Sequence, residues 1–122
     1  MPAAFPDGVQ VLTFDLYGTI VDMQRGLVET ITPFLAAKGY TGSAHSIVTW
    51  WRRTHYQDSM IDALIAGTHT PYREIGRRAV SYTLTRAGVP FTDQDARELV
   101  AAIERLPAFP DVAAAMERLR GR

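Results

Sequence analysis

The sequence predicts a mostly α chain that opens on a single β-strand. Three observations carry this reading. Five segments place apolar residues at helical spacing between capping residues, one β-branched and aromatic run stands near the start, and no second convincing strand follows in 122 residues. That length suits one compact domain with a real core.

The apolar run VQVLTF, Val9 to Phe14, lacks clean polar alternation, the pattern of a strand covered on both faces as in a parallel sheet. Such a strand standing alone leaves buried N–H and C=O groups unpaired, at about 1 to 3 kcal/mol each. The rest of the sheet is therefore expected to be missing from this chain or supplied by another; a helical bundle with one decorative strand is the alternative. Gly18, Thr19 and Asp22 stop the strand and lead into a helix from about Arg25 to Lys38, closed by Gly39.

Ser43 caps a second helix running to about Ala66, with Ile47, Trp50, Trp51, Ile61, Leu64 and Ile65 as its apolar stripe and Gly67 at its end. Pro71 suits the first turn of a third helix that ends at Gly88. Thr92 followed by Asp95 resembles a capping box with Asp in place of Glu, and Ala96, Leu99, Val100, Ile103 and Leu106 supply the buried face behind it. After the break at Pro107 and Pro110, Val112 to Leu119 reads as a last helix.

The 13 basic and 13 acidic residues balance, which leaves no field for steering onto nucleic acid or an anionic bilayer. The small basic groups, Arg52 with Arg53, Arg77 with Arg78, and Arg118 to Arg122, read as solvated helix faces. With no cysteine in the chain, disulfides, thiolate catalysis and cysteine-based metal sites are excluded. His45, His55 and His69 match no compact metal-ligand spacing. The start does not look like a signal peptide and no run approaches a membrane span, so a cytoplasmic location is the default expectation.

The chemistry concentrates in FDLYGT, Phe14 to Thr19. In open parallel sheets ligands bind beyond the C-terminal strand ends, which is where Asp15 would stand. Its carboxylate can serve as nucleophile, metal ligand or general base; capping of the turn is the non-catalytic alternative. Gly18 lets the following loop turn tightly, and the Thr19 hydroxyl can hold the carboxylate or a developing oxyanion.

FDLYGTIVD, Phe14 to Asp22, resembles the first motif of the haloacid-dehalogenase-like hydrolases, with the 2-haloacid dehalogenases as the nearest branch. The WWRR helix and the LPAFPDV stretch extend the resemblance over essentially the whole chain, as a helical cap and a return helix. It implies the first strand of a Rossmann-like α/β core followed by a helical cap bundle, the core sheet otherwise missing, as in a truncated α/β hydrolase. The implied divisions are a first core strand and nucleophile loop over 1–22, a cap over 23–106, and a return linker and helix over 107–122. It also implies Asp15 as nucleophile, Thr19 as the motif hydroxyl, Arg52 as the cap arginine that reaches the substrate, and a substrate wall that includes Leu16, Tyr17 and Trp51. Trp50, Trp51 and Tyr56 can dry the cleft, with plain core packing as the other reading.

Tyr17 separates two branches of that family. The phosphatases carry an Asp two residues after the nucleophile, as acid and base toward the leaving alcohol, and use Mg²⁺. A phenol of pKa near 10 is a poor substitute in either role. Halide leaves without a proton, so the expected reaction is metal-free hydrolysis of a 2-haloacid to a 2-hydroxy acid through an aspartyl ester. No cofactor is expected, with Mg²⁺ reserved for the phosphatase alternative, and a non-catalytic partner-binding helical domain is the third reading. The family's serine or threonine, lysine and water-positioning acids fall beyond MERLRGR, so the 122 residues alone are expected to be inactive and open to self-association or a complementing chain.

Overall fold

The computed structural model describes residues 8–65 and 67–120. Five α-helices follow one another, α1 (Met23–Ala37), α2 (Ala44–Ile65), α3 (Tyr72–Arg86), α4 (Asp93–Ala101) and α5 (Val112–Arg120), with a 3₁₀ turn, Ala102–Arg105, extending α4. The expected end of the second helix at Ala66, the first seven residues and the last two arginine-flanked positions, 121 and 122, lie outside the described residues.

The caps explain where the helices begin. The Asp22 carboxylate accepts from Arg25 N at 3.1 Å and Ser43 Oγ accepts from Ser46 N at 3.1 Å, each satisfying a first-turn donor. At α4 the box is reciprocal: Asp95 N donates to Thr92 Oγ1 at 3.1 Å while Thr92 N donates to Asp95 Oδ2 at 2.8 Å. Pro71 stands just before α3, at φ −57° and ψ 142°, rather than inside its first turn. Its fixed φ suits an extended residue as well as a helical one.

Packing of α1, α2, α3 and α4 makes one core, whose most enclosed side chains are Trp51, Leu27, Ile31, Leu84, Val48 and Val80. Each such aliphatic side chain contributes about 1.5 to 3 kcal/mol by burial. The expected stripe of α2 holds at Ile47 and Trp51 and fails at Trp50 and in the second half of the helix. Ile47, Val48, Trp51 and His55 face the core, whereas Trp50, Ile61, Leu64 and Ile65 are exposed, Leu64 at 82%. Trp50 lies about 100 degrees round the helix from Trp51. Farther along, the inward position belongs to Asp62, which accepts from Thr70 Oγ1 at 2.6 Å and Thr70 N at 3.3 Å and so fastens the loop to α3.

The strand expected over Val9 to Phe14 does not form: among the described residues the segment is irregular and Val11 is 76% exposed. A strand exists through its ladder partners, and none are present among the described residues. Isolated bridges join Tyr17 to Val21 and Val21 to Ala108. α5 buries no residue completely. Among the described residues no helix is long and apolar enough to cross a membrane.

Outside the core, Arg77 donates to Glu74 at 2.7 and 2.8 Å and to Asp93 at 2.8 Å, tying α3 to the first turn of α4. The Arg77 hydrogen bonds hold the Glu74 carboxyl down to about 2. Inside it, His55 is 3% exposed and neither ring nitrogen has a hydrogen-bond partner among the described residues. Burial lowers its pKa from the ordinary 6.5, against smaller opposing effects of the Tyr72 backbone and the Asp58 carboxylate.

Two outcomes follow for stability. Thr92→Ala removes the acceptor of the α4 box and is expected to cost about 1 kcal/mol in urea unfolding; an unchanged midpoint contradicts that role. For His55 the folded chain resists the proton that the unfolded chain takes, so stability present above about pH 6.5 is lost as pH falls through the depressed folded value. His55→Leu is expected to flatten the fall in midpoint below pH 6.5 without loss at pH 7.5, since it leaves no buried nitrogen unsatisfied. Parallel pH profiles for the two proteins contradict this account.

Candidate active site

The turn after Asp15 is closed by backbone bonds that converge on Leu16: its carbonyl accepts from Ile20 N at 2.9 Å and Val21 N at 3.0 Å, and Gly18 N donates to Val21 O at 2.9 Å. Gly18 takes φ +85° there, a left-handed conformation that side chains with a Cβ avoid. This folding brings Thr19 back over the carboxylate, and Thr19 Oγ1 donates to Asp15 Oδ2 at 2.6 Å.

The turn is also fastened to the chain returning from α4. Asp22 N donates to Pro107 O at 2.8 Å and Phe109 N donates to Ile20 O at 3.0 Å. Gly26, in the first turns of α1, makes room for this return, because a Cβ built there would stand 2.6 Å from Pro107 Cδ and 2.8 Å from Leu106 Cδ2.

Beside the turn lies an open cleft of about 910 Å³ whose walls come from the turn, α1, α2 and the start of α3. Asp15, Tyr17 and Arg52 all line it, together with Gln24, His45 and Tyr72. Arg52 is half-buried and its Nη1 donates to Gln24 Oε1 at 2.9 Å. Among the described residues no ion pair includes Arg52, although six other basic side chains, Arg25, Lys38, Arg73, Arg77, Arg78 and Arg97, on α1, just past its end, on α3 and on α4, each meet a carboxylate. The positive charge thus faces the cleft held by a neutral amide.

The Tyr17 ring stacks on Tyr72, with centroids 5.8 Å apart and planes 4° apart, and Tyr72 leans on His55 at 4.1 Å. Burial raises the Tyr72 pKa above 10, helped by Tyr17 and opposed by Arg52. A neutral aromatic wall therefore runs from the cleft mouth to the core. It suits an apolar carbon next to an anionic group.

Two residues expected at the substrate wall stand elsewhere. Trp51 is 1% exposed in the helical core, off the cleft, as its position one residue before Arg52 on α2 requires. Leu16 contributes its carbonyl to the turn while its side chain is exposed and outside the cleft lining. Trp50 faces a second groove, about 380 Å³ between α2 and α3, with Tyr82 and Arg86. Arg53 lies at the cleft edge with its guanidinium 5.5 Å from the Trp50 ring. Of the histidines, His45 and His55 reach the cleft and His69 is exposed. Among the described residues no three His, Asp or Glu side chains gather as a metal site would require.

Sequence reasoning passed over Gln24 and Tyr72. Gln24 sits two residues after Asp22, at the helix start, which gives no chemical signal on its own; Tyr72 follows Pro71 at the opening of α3 and is brought to Tyr17 by packing of α3 on α2.

Known proteins resemble this chain in sequence and in fold. No family model matches the chain. It is 27% identical over 111 residues to an (S)-2-haloacid dehalogenase of Xanthobacter autotrophicus, covering 91% of this chain and 41% of that protein. Haloacetate dehalogenase H-2 of Moraxella sp. (strain B) is 26% identical over 114 residues, 93% of this chain and 48% of its own length. The chain thus spans less than half the length of these relatives. Among solved structures, L-2-haloacid dehalogenase from Xanthobacter autotrophicus with chloropropionic acid covalently bound superposes with a TM-score of 0.72 at 27% identity, over 86% of this chain and 40% of the other. A further dehalogenase structure, at 21% identity, shares the fold with a TM-score of 0.76 over 95% of this chain and 48% of the other. In sequence and in fold, over about nine tenths of its length, the chain is a homologue of the 2-haloacid dehalogenases of the haloacid-dehalogenase-like fold.

Proposed function

We propose that these residues form the nucleophile-bearing part of a hydrolase that removes halide from a short 2-haloacid. The observation that carries the reading is the cleft itself, where a carboxylate held by a hydroxyl, Asp15 with Thr19, shares one space with Arg52, an arginine that forms no ion pair among the described residues. In the proposed reaction an Asp15 oxygen attacks the halogen-bearing carbon, the carbon–halogen bond breaks, and the electron pair leaves with the halide. Water then attacks the ester at the Asp15 side-chain carbonyl, releasing a 2-hydroxy acid and restoring the carboxylate.

Each side chain has a defined task in this scheme. Thr19 fixes one Asp15 oxygen and leaves the other to react. Arg52 attracts the halide or the substrate carboxylate through its permanent charge and forked donors. Tyr17, against Tyr72, keeps water from the apolar carbon, and its phenol supplies no acid for a leaving alcohol. That last point sets the metal-free reading above a phosphatase of the same superfamily. Residues 23–106 act as the cap over the site and 107–122 as the return to the core, with Val9 to Phe14 becoming the first strand once polypeptide packs beside it. Exposed Val11, Phe14 and the uncovered face of α5 support that reading. They equally favour a non-catalytic helical module that docks on a partner or on a second copy.

The 122 residues alone are expected to turn over negligibly, because their sole lysine, Lys38, is engaged with Asp95 away from the cleft, and among the described residues the permanent cations lining it are Arg52 and Arg53 of α2. A halide-release assay on 2-chloropropanoate in EDTA, run on this chain and on it joined to the remaining core of a relative, tests the proposal beside a Mg²⁺-supported phosphate-release assay. Halide release by the joined form, abolished by Asp15→Asn and lowered about 10-fold or more by Arg52→Lys, is the expected result. Mg²⁺-dependent phosphate release without halide release overturns it.

A further inference from the structure

The contact between α1 and α2 contains one polar bridge at the cleft wall, and we infer that it makes Gln24 the positioning residue for anion capture by Arg52, an inference that rests on the function proposed for the cleft. Gln24 belongs to the first turn of α1 and reaches across to α2 with both ends of its amide. Oε1 accepts from Arg52 Nη1 at 2.9 Å. Nε2 donates to the His45 carbonyl at 3.2 Å and to Thr49 Oγ1 at 3.3 Å, and lies 3.3 Å from His45 Nδ1.

Chemistry fixes which way this amide points. A guanidinium offers donors alone, so the oxygen must face Arg52, and a backbone carbonyl accepts alone, so the nitrogen must face His45. Reversing the amide breaks both contacts together. Arg52 is thereby held by a group that is itself held, over a long side chain that otherwise samples many rotamers.

The identity of the partner matters as much as its presence. Arg77, Arg78 and Arg97 are each anchored by carboxylates, which fix the guanidinium and neutralise it. Gln24 anchors Arg52 through one donor and adds no negative charge, leaving the other guanidinium donors and the full charge for an anion in the cleft. A glutamate at this position would give up the donor to the His45 carbonyl but keep the arginine as an ion pair, and it would compete with the anion. Gln24 touches neither the reacting carbon nor Asp15 in this arrangement; it acts through Arg52.

The test is ¹⁵N side-chain NMR of the 122-residue chain, reading the order of the Arg52 guanidinium and its response to added bromide. In the unsubstituted chain Arg52 is expected to be more ordered than an exposed arginine such as Arg118, and bromide to shift its signals saturably. Gln24→Met keeps the volume and should release Arg52 to the mobility of Arg118, weakening bromide binding about 10-fold. Gln24→Glu should keep Arg52 ordered yet weaken bromide at least as much, a split that a merely structural role for Gln24 would not produce. Arg52 equally ordered in the Met variant, bromide bound equally well in the Glu variant, or no bromide response of Arg52 in the unsubstituted chain overturns the inference. None of these readouts depends on turnover, so a protein that passes them and releases no halide rejects the proposed reaction alone.

Discussion

The site depends on one fastening: the backbone bonds that tie the Asp15–Asp22 turn to the chain returning at Pro107–Phe109. Two backbone hydrogen bonds, Asp22 N to Pro107 O and Phe109 N to Ile20 O, close a loop of the polypeptide that contains α1 to α4. Loop closure over this length costs entropy that grows slowly with chain length, so packing of the four helices has to carry it. Gly26 beneath Pro107 lets the two segments come that close. The helical bundle is thus what presents the carboxylate, and the fastening sets where Asp15 stands relative to α2.

From that point the functional geometry follows by short steps. Gly18 supplies the left-handed residue, Thr19 folds back onto Asp15, and α1 starts at Met23 under the Asp22 cap. The first turn of α1 then holds Gln24 against the first turns of α2, where Arg52 emerges. Two neighbouring residues of α2 have opposite fates for a geometric reason. Trp51 points into the core and Arg52, about 100 degrees farther round, points to the cleft. Burial of the tryptophan therefore helps to aim the arginine.

Most of this was legible in the residues themselves. Capping chemistry is local, so Ser43 and the Thr92–Asp95 box could be read from their spacing, and each helix begins within about three residues of its expected start. The likeness of FDLYGTIVD to a known motif likewise led to the family that the comparisons bear out. What escaped was everything set by a partner. The run VQVLTF has strand character and no ladder to join, so its propensity finds no expression here. Ile61, Leu64 and Ile65 read as core because apolar periodicity cannot tell that α2 outruns α3 and gives its inward position to Asp62. Gln24 and Tyr72 were invisible because an amide and a phenol acquire meaning through what packs opposite them.

The central claim is that Asp15 becomes covalently linked to the substrate carbon and is restored by water at its own carbonyl. A single turnover in H₂¹⁸O by a form of the protein that releases halide, followed by mass spectrometry of the peptide containing Asp15, addresses it most directly. The account predicts that the heavy oxygen enters the Asp15 carboxylate while the 2-hydroxy acid stays unlabelled, because its oxygen comes from the aspartate. Label in the 2-hydroxy acid with Asp15 unlabelled would mean that water attacks the substrate carbon itself, and would contradict the account.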